Sequence, residues 1–334
     1  MTHPDPTPDI TPDPTPDPTP LDLGLPAVVR DPALPARVRI HEVGARDGLQ
    51  NERNVVPTAV KAEFVRRLAA AGLGTVEATS FVHPKWVPQL ADAEDLFPLL
   101  DEVRAAGVHL PVLVPNERGL DRALALGADR IAVFGSATET FAARNLNRTV
   151  AESLEMFAPV VARAKEAGAH VRGYLSMCFG DPWEGPVPVE RVVSVARALL
   201  DLGCDELSLG DTIGVATPGH VTALVAALVE RGVGVERIGV HFHDTYGQAL
   251  SNTLAALRLG VSTVDSSAGG LGGCPYAKSA TGNLATEDLV WMLTGLGIET
   301  GVDLAALTAT SVWMADRLGR PSPSRTVRAL SHKE

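Results

Sequence analysis

Two histidines lie two residues apart in the stretch GVHFHDTYGQ, directly after a Val- and Ile-containing run that is typical of a β-strand. Because residues i and i+2 of a strand point to the same face, His241 and His243 would present their imidazole rings side by side. The pair could bind a divalent metal ion, or both rings could be hydrogen-bonded polar residues of a core. The spacing leaves both alternatives open, so the decision depends on which other polar residues the fold brings to the same place.

Short β-rich runs alternate with stretches rich in Ala, Leu, Arg and Glu from residue 38 onward. The eight candidate strands read RVRIHEVG, GTVEATSF, HLPVLVP, RIAVFGS, HVRGYLSMCF, ELSLGDT, RIGVHFHD and STVDSSAGG. Eight strand–helix units within roughly 250 residues predict an α/β fold, a closed (β/α)8 TIM barrel. The alternative is an open doubly wound sheet, but the turn after the first strand reads GARDGLQ and lacks the glycine pattern of a dinucleotide-binding turn.

The chain divides into three parts of different composition. Residues 1–35 repeat Pro, Asp and Thr and offer little to bury, which predicts a disordered tail. Residues 36–320 form the predicted catalytic domain, a TIM barrel followed by extra C-terminal helices from about residue 286. Residues 321–334 are predicted to be a flexible C-terminal tail.

The composition argues against several classes of function. The 334 residues carry a formal net charge of −11 without a basic block, which disfavours binding to nucleic acid or to an anionic membrane surface. No apolar run is long enough to span a bilayer. Three widely spaced cysteines predict reduced thiols, and the acidic, Arg-poor start of the chain is unlike a transit peptide, so we expect a cytoplasmic protein.

Polar residues that could do chemistry lie on or after most of the predicted strands. They are Arg46 and Asp47 after the first strand, Glu77 on the second, Asp211 at the end of the sixth, and Cys274 and Asn283 after the eighth. Because the carboxyl ends of barrel strands meet at one rim, we expect these residues and the histidine pair to form one site. Asp47 could supply a carboxylate and Asn283 an amide oxygen. A mixed set of imidazole and oxygen ligands suits Mg²⁺ or Mn²⁺, although Zn²⁺ or Co²⁺ could bind the same atoms.

Each of the other polar residues has a structural alternative to a catalytic role. Arg46 and Asp47 could form a salt bridge that closes a loop, or the guanidinium of Arg46 could hold an enolate oxygen or a carboxylate. Glu77 and Asp211 could be acid–base groups or could orient other side chains, and the orienting role is favoured for Glu77. Cys274 lies in a glycine-rich segment, where a functional thiol is favoured over an ordinary small residue.

Six stretches together resemble the hydroxymethylglutaryl-CoA lyases: EVGARDGLQNE, EATSFVHPKWVPQLAD, RGYLSMCFGDPWEG, LSLGDTIGVATP, HFHDTYGQAL and SSAGGLGGCPYAKSATGNLATED. The likeness extends from about residue 38 to residue 320. RDGLQ with HFHDT is typical of the wider superfamily that includes isopropylmalate and homocitrate synthases, and GGLGGCPYAKSATGN is typical of the lyases. Two stretches depart from the family pattern: GDPWEG replaces Cys-Pro-Tyr-Glu-Gly, and His83 stands where a serine is common.

The resemblance implies roles for individual residues. The implied metal ligands are Asp47, His241, His243 and Asn283, with Gln50 beside the metal site. Arg46 would stabilise an enolate. The other residues implied to be needed for activity are Glu77, Asp211 and Cys274, and a proton would be moved by His241, Cys274 or a group linked to Asp211. Candidate contacts for the anionic end of CoA are Arg53, Arg144, Arg148 and Lys278.

The implied reaction is the cleavage of 3-hydroxy-3-methylglutaryl-CoA to acetoacetate and acetyl-CoA, with Mg²⁺ or Mn²⁺ as cofactor. It would be a step of leucine degradation and ketone-body formation, carried out by a homodimer. The two departures leave room for a related 3-hydroxy-3-alkylglutaryl-CoA as substrate. The alternatives are a condensing enzyme that joins acetyl-CoA to a 2-oxo acid, an aldolase acting on a 4-hydroxy-2-oxo acid, and a non-catalytic barrel that binds metal or CoA.

Overall fold

The computed structural model describes residues 26–273 and 282–331, and its main feature is a parallel sheet of eight strands. These strands are β1 (Arg39–Glu42), β2 (Thr79–Ser80), β3 (Val112–Leu113), β4 (Arg130–Ser136), β5 (His170–Ser176), β8 (Glu206–Asp211), β9 (Ile238–Phe242) and β10 (Thr263–Ser266). The strands β6 (Gly180–Asp181) and β7 (Gly185–Pro186) form a separate antiparallel hairpin. The order in the large sheet is β1-β10-β9-β8-β5-β4-β3-β2, and each of its strands lies inside one predicted strand.

Hydrogen bonds between β1 and the chain before β2 close this sheet into a barrel. The backbone N–H of Glu42 donates to the carbonyl of Thr75 at 3.1 Å, and the N–H of Glu77 donates to the carbonyl of Glu42 at 2.8 Å. The closed ring confirms the predicted α/β TIM barrel and rules out an open doubly wound sheet. Because the strands are parallel, their carboxyl ends meet at a single rim, which we call the carboxyl rim.

Helices cover the outside of the barrel. They are α1 (Thr58–Ala70), α2 (Ala93–Leu96), α3 (Asp101–Ala105), α4 (Glu117–Ala125), α5 (Glu139–Leu146), α6 (Val150–Glu166), α7 (Val189–Asp201), α8 (Pro218–Glu230), α9 (Ala249–Arg258), α10 (Thr286–Gly295), α11 (Leu304–Leu318) and α12 (Arg325–Leu330). In α7, for example, Val192, Ala196 and Leu199 are buried, whereas Arg191 and Arg197 are exposed. This helical spacing places the apolar core between the helices and the sheet. Within the described ranges, none of the helices is long and apolar enough to cross a membrane.

The predicted N-terminal tail extends too far along the chain. Residues 26–35, which the sequence places in a disordered tail, contact the barrel and its C-terminal helices. The N–H of Val29 donates to the carbonyl of Gly295 at 2.9 Å, and the side chain of Leu34 is part of the apolar core. The prediction is therefore wrong for these residues, and residues 1–25 lie outside the part of the chain that the structure describes.

The predicted flexible C-terminal tail also contains regular structure. The helices α10 and α11 occupy the segment predicted to be helical, and α12 follows them within residues 321–334. The hydroxyl of Ser324 accepts from the N–H of Val327 at 3.1 Å and donates to the carboxylate of Asp288 at 2.8 Å. This cap fixes the start of α12 on α10. The prediction of flexibility is wrong for residues 325–330, and residues 332–334 lie outside the described residues.

Candidate metal centre and active site

The turn after β1 positions the adjacent residues Arg46 and Asp47. Residues Gly44–Gly48 form a single π-helical turn. A Cβ atom on Gly48 would lie 2.8 Å from the hydroxyl oxygen of Ser267, so the close approach of the turn to this segment requires glycine. Adjacent residues of a straight strand would face opposite ways, but the wide turn directs both side chains into one site.

A buried carboxylate ties this turn to the other segments of the carboxyl rim. Oε1 of Glu42 accepts the backbone N–H groups of Gly44 and Ala268, each at 2.8 Å. Its Oε2 accepts the hydroxyl of Thr286 at 2.6 Å, at the start of α10. Burial raises the pKa of Glu42 to about 7, against the effect of these three donors. The sequence analysis does not predict this role, because it depends on contacts between distant segments.

Asp47, His241 and His243 converge at the carboxyl rim. One ligand atom from each residue lies within 4.8 Å of those of the other two. His241 is in β9 and His243 follows it, and their ring centroids are 5.3 Å apart. A backbone bridge between His243 and Asn283 brings the latter to the same place, where its Nδ2 donates to Oδ2 of Asp47 at 2.9 Å. The structure thus brings together all four residues proposed as ligands.

The donor atoms of this cluster fit a divalent cation. Among the described residues, Nδ1 of His243 and Oδ1 of Asn283 are buried without a hydrogen-bond partner, which is costly unless another group binds them. Burial and the neighbouring charge of His241 lower the pKa of His243 to about 4, so its ring is neutral at pH 7, as metal binding requires. Burial opposes ionisation of Asp47, but the charges of Arg46 and His241 hold its pKa below the ordinary value. Imidazole and oxygen donors without thiolate suit Mg²⁺ or Mn²⁺.

The guanidinium of Arg46 is held in a fixed orientation beside the cluster. Its Nη1 donates to Oδ1 of Asp47 at 2.8 Å, and its Nη2 donates to Oε2 of Glu77 at 2.7 Å. The hydroxyl of Tyr174 donates to the same oxygen of Glu77 at 3.1 Å, and Cζ of Arg46 lies 5.4 Å from the centroid of the Tyr174 ring. Among the described residues the buried Nε of Arg46 has no partner. These contacts support the orienting role of Glu77.

Asp211 ends β8 and holds the loop that follows. Its two carboxylate oxygens accept the backbone N–H groups of Val215 at 2.9 Å and Ala216 at 3.0 Å. Burial raises its pKa to about 6, although these donors and the charge of His241 act in the opposite direction. Of the two alternatives left open by the sequence, these contacts favour a role in orienting the loop.

A second group of polar residues lies deeper in the barrel. It consists of His41, Arg172, Glu206, Ser208 and Asp265, which we call the interior layer. Oδ1 of Asp265 accepts from Nη2 of Arg172 at 2.6 Å, and its Oδ2 accepts from the hydroxyl of Ser208 at 2.8 Å and lies 3.3 Å from Nδ1 of His241. The sequence analysis misses this layer. The available signal is the presence of charged residues within predicted strands at alternate positions, which in a closed barrel face inward.

The residues predicted to bind substrate lie in different parts of the structure. Gln50 is partly buried, two residues after the end of the π-helical turn. Arg53 is exposed and lines a cleft of about 650 Å³ that extends from Gly48 to Gly273. Arg144 stacks on the Trp183 ring at 4.4 Å, and Arg148 is exposed after α5. Two further predictions, Cys274 and Lys278, lie outside the described residues.

A closed parallel barrel with imidazole, carboxylate and guanidinium groups at its carboxyl rim defines the class of barrel enzymes with a metal-binding rim. A family model described as HMGL-like matches residues 37–313. The chain therefore belongs to the HMGL-like family, and the resemblance seen in the sequence is confirmed.

Proteins named hydroxymethylglutaryl-CoA lyase are similar to this chain over most of its length. The mitochondrial enzyme of Arabidopsis thaliana is 52% identical over 300 residues, which are 90% of this chain and 64% of the relative. That of Rattus norvegicus is 51% identical over 296 residues, covering 89% of this chain and 90% of the relative. The crystal structure of hydroxymethylglutaryl-CoA lyase from Pseudomonas aeruginosa has a TM-score of 0.86 at 46% identity and covers 90% of this chain and all of that one.

Proposed function

We propose that this protein is a lyase that cleaves 3-hydroxy-3-methylglutaryl-CoA to acetoacetate and acetyl-CoA. The observation that carries the proposal is the convergence of Asp47, His241 and His243 beside the buried guanidinium of Arg46. The similarity to proteins named hydroxymethylglutaryl-CoA lyase supports the same activity. The chain spans 64% of the length of the Arabidopsis relative and 90% of the rat relative, and the barrel with the complete cluster lies within this span.

Mg²⁺ or Mn²⁺ is the proposed cofactor. The residues that would hold it are Asp47, His241, His243 and Asn283, through a carboxylate oxygen, two imidazole nitrogens and the amide oxygen. When bound, such an ion lowers the pKa of a coordinated substrate hydroxyl and polarises neighbouring oxygens.

Arg46 would stabilise the charge that develops during cleavage. The reaction removes the proton of the C3 hydroxyl and breaks the C2–C3 bond, which gives a ketone at C3 and leaves the electron pair on the enolate of the acetyl thioester. A guanidinium whose position is fixed before reaction can donate to the enolate oxygen without reorganising. The contacts of Arg46 with Glu77 and Asp47 provide this fixed position.

The last step is the return of a proton to C2, which gives acetyl-CoA. We propose Cys274 as the donor, in the segment that follows Gly273, while a group linked to Asp211 takes the hydroxyl proton at the start. Arg53 and Lys278 are proposed to contact the anionic part of CoA, and Gln50 to contact the reacting end of the substrate. The exposed position of Arg53 on the cleft beside Gly48 and Gly273 supports its part of this proposal.

The test is to incubate the purified protein with 3-hydroxy-3-methylglutaryl-CoA and Mg²⁺ and to measure acetoacetate. We expect acetoacetate and acetyl-CoA in equal amounts, loss of turnover to background in excess EDTA, and recovery when Mg²⁺ or Mn²⁺ is restored. Full activity in excess EDTA would contradict the metal centre. Release of free thiol from acetyl-CoA and a 2-oxo acid would instead identify a condensing enzyme. Faster cleavage of a 3-ethyl analogue would identify the related alkyl substrate.

A homodimer and a cytoplasmic location are further proposals for this chain. The three widely spaced cysteines support a reducing compartment, and the net charge of −11 without a basic block argues against nucleic acid or an anionic membrane as partner. Acetoacetate as product would place the reaction in leucine degradation and ketone-body formation. Sedimentation equilibrium of the purified protein measures the oligomeric state directly.

A further inference from the structure

The ring of His241 contacts a carboxylate that is not part of the metal-binding cluster. Its Nδ1 lies 3.3 Å from Oδ2 of Asp265, and the same oxygen accepts the hydroxyl of Ser208 at 2.8 Å. Oδ1 of Asp265 accepts from Nη2 of Arg172 at 2.6 Å. With an arginine and a hydroxyl donating to it, this carboxylate acts as the acceptor, so the hydrogen of the contact belongs to Nδ1 of the imidazole.

The backbone fixes this contact in space. Asp265 on β10 is the direct partner of His241 in the parallel pairing of β10 with β9. Asp265 is 1% exposed, and the side chain of His241 is 13% exposed. Because neighbouring strands of a barrel cannot shift by one residue without turning every side chain to the other face, the register determines which imidazole contacts Asp265.

We propose that Asp265 is a positioning residue that fixes the tautomer of His241 and thereby makes Nε2 the atom offered to a metal ion beside Asp47. In a neutral imidazole one nitrogen donates and the other accepts, so an Nδ1–H bonded to Asp265 leaves the lone pair on Nε2. Carboxylates of this kind orient metal-binding histidines and commonly change metal affinity when replaced. This inference rests on the metal centre of the proposed function.

The two histidines are therefore unequal. Nδ1 of His241 is bonded to Asp265, whereas Nδ1 of His243 has no partner among the described residues. With one nitrogen bonded to a carboxylate and the other facing the cluster, His241 has no free nitrogen for proton transfer to the substrate. The role of base, open to His241 in the sequence analysis, passes to another group.

The test compares Asp265→Asn with Asp265→Ala by titrating each purified variant with Mn²⁺ and no substrate. If the asparagine NH₂ faced Arg172, two hydrogen-bond donors would face each other. The NH₂ should therefore face Nδ1 of His241 and donate to it, which imposes the tautomer with the hydrogen on Nε2. We expect Asp265→Asn to weaken Mn²⁺ binding by roughly 10–100-fold. Asp265→Ala leaves the ring free to adopt either tautomer, so it should weaken binding less although it destabilises the fold more.

The matched control is Glu206→Gln, which alters another buried carboxylate paired with Arg172 but, in the part of the chain that the structure describes, has no hydrogen bond or ion pair with the histidine pair. Its Mn²⁺ affinity should equal that of the wild type. A merely structural role for Asp265 would make the alanine variant the weaker binder, and this order would overturn the proposal. Wild-type Mn²⁺ affinity in a folded Asp265→Asn protein would do the same.

A measurement on the wild-type protein covers the case in which the variants do not fold. Nitrogen-15 NMR of histidine-labelled protein at alkaline pH, with and without Mg²⁺, should show hydrogen on Nδ1 of His241 in both samples. Hydrogen on Nε2 would overturn the inference. None of these measurements uses substrate, so a protein that lacks the proposed lyase activity can still give the expected order of affinities. Absence of any Mn²⁺ binding by the wild type would instead overturn the metal centre itself.

Discussion

The carboxyl rim and the interior layer of this barrel contain similar residue types, but they differ in how their buried polar atoms are hydrogen-bonded. In the interior layer both oxygens of Asp265 and both oxygens of Glu206 accept hydrogen bonds, from Arg172, Arg39 and Ser208. At the rim, Nδ1 of His243 and Oδ1 of Asn283 are buried without a partner among the described residues.

The difference separates a stabilising network from a binding site. Buried polar atoms are normally paired, so the imidazole nitrogen and the amide oxygen that have no partner beside Asp47 are suited to binding a further group. Paired carboxylates need no ligand. The two regions meet at His241, which contacts Asp265 and belongs to the cluster with Asp47. Breaking each region separately should therefore affect mainly stability in one case and mainly turnover in the other.

The largest effect is expected in the interior layer. Arg172→Met keeps the length of the side chain but leaves Asp265 and Glu206 without their buried cation. Removing one partner of a buried ion pair costs about 3–5 kcal/mol, because the remaining charge is uncompensated. Urea denaturation should show this loss in the free energy of unfolding.

The matched control for this variant is Arg325→Met at the surface. Arg325 pairs with Asp244 at 3.1 Å, but its side chain is 69% exposed. Solvent screens such a pair, so the expected loss is below about 1 kcal/mol. Equal losses in the two variants would show that the interior layer is not a stabilising network.

Most of the barrel could be predicted from the sequence because its signals are local. Short β-rich runs of seven to ten residues, each followed by a helical stretch, predict the strands. Polar residues at the ends of these runs predict Arg46, Asp47 and the histidine pair. The rule that carboxyl ends of parallel strands meet then brings these distant residues to one site.

The residues that the sequence analysis misses act through contacts between distant segments. Glu42 links the turn at Gly44 to Ala268 and Thr286, and Asp265 orients His241 from the neighbouring strand. The π-helical turn has no local sequence signal either, since it depends on this packing. The predicted boundaries of the two tails are wrong for the same reason, because Leu34 and the cap of α12 are held by residues far along the chain.

Breaking the rim should reduce turnover and, because Arg46 pairs with the buried carboxylate of Glu77, should also cost some stability. Arg46→Gln removes the charge that would face the enolate oxygen but keeps a hydrogen-bonding amide. We expect kcat to fall by about 10²–10³, the loss found when one preorganised donor to a developing oxyanion is removed. Steady-state kinetics with 3-hydroxy-3-methylglutaryl-CoA measures the effect, and thermal unfolding checks the fold. Turnover near the wild-type rate would show that Arg46 does not stabilise the enolate.

The smallest effect concerns Glu287, a carboxylate beside the rim that pairs with no cation among the residues the structure describes. Both oxygens of Glu287 accept the N–H of Gly269, and the hydroxyl of Ser311 also donates to it. Burial raises its pKa from 4.5 to about 8, helped by the charge of Glu42, whereas Arg172 holds the pKa of Asp265 far below its ordinary value despite burial. The two environments therefore push carboxylate pKa values in opposite directions.

This contrast predicts a pH dependence of stability. With a pKa of about 8 in the folded state and 4.5 in the unfolded state, Glu287 keeps its proton in the folded protein after the unfolded chain has lost it. Its contribution is therefore fully present below pH 4.5 and is lost as the pH rises through 8. Relative to Glu287→Gln, which cannot ionise, the wild type should lose about 3 kcal/mol in free energy of unfolding between pH 4.5 and pH 7. Urea denaturation at a series of pH values measures the difference, with Glu166→Gln on the exposed face of α6 as control. Parallel curves for wild type and Glu287→Gln would mean that Glu287 is already ionised in the folded protein. Its neutral hydrogen-bond donors would then stabilise the carboxylate as effectively as Arg172 stabilises the carboxylate of Asp265.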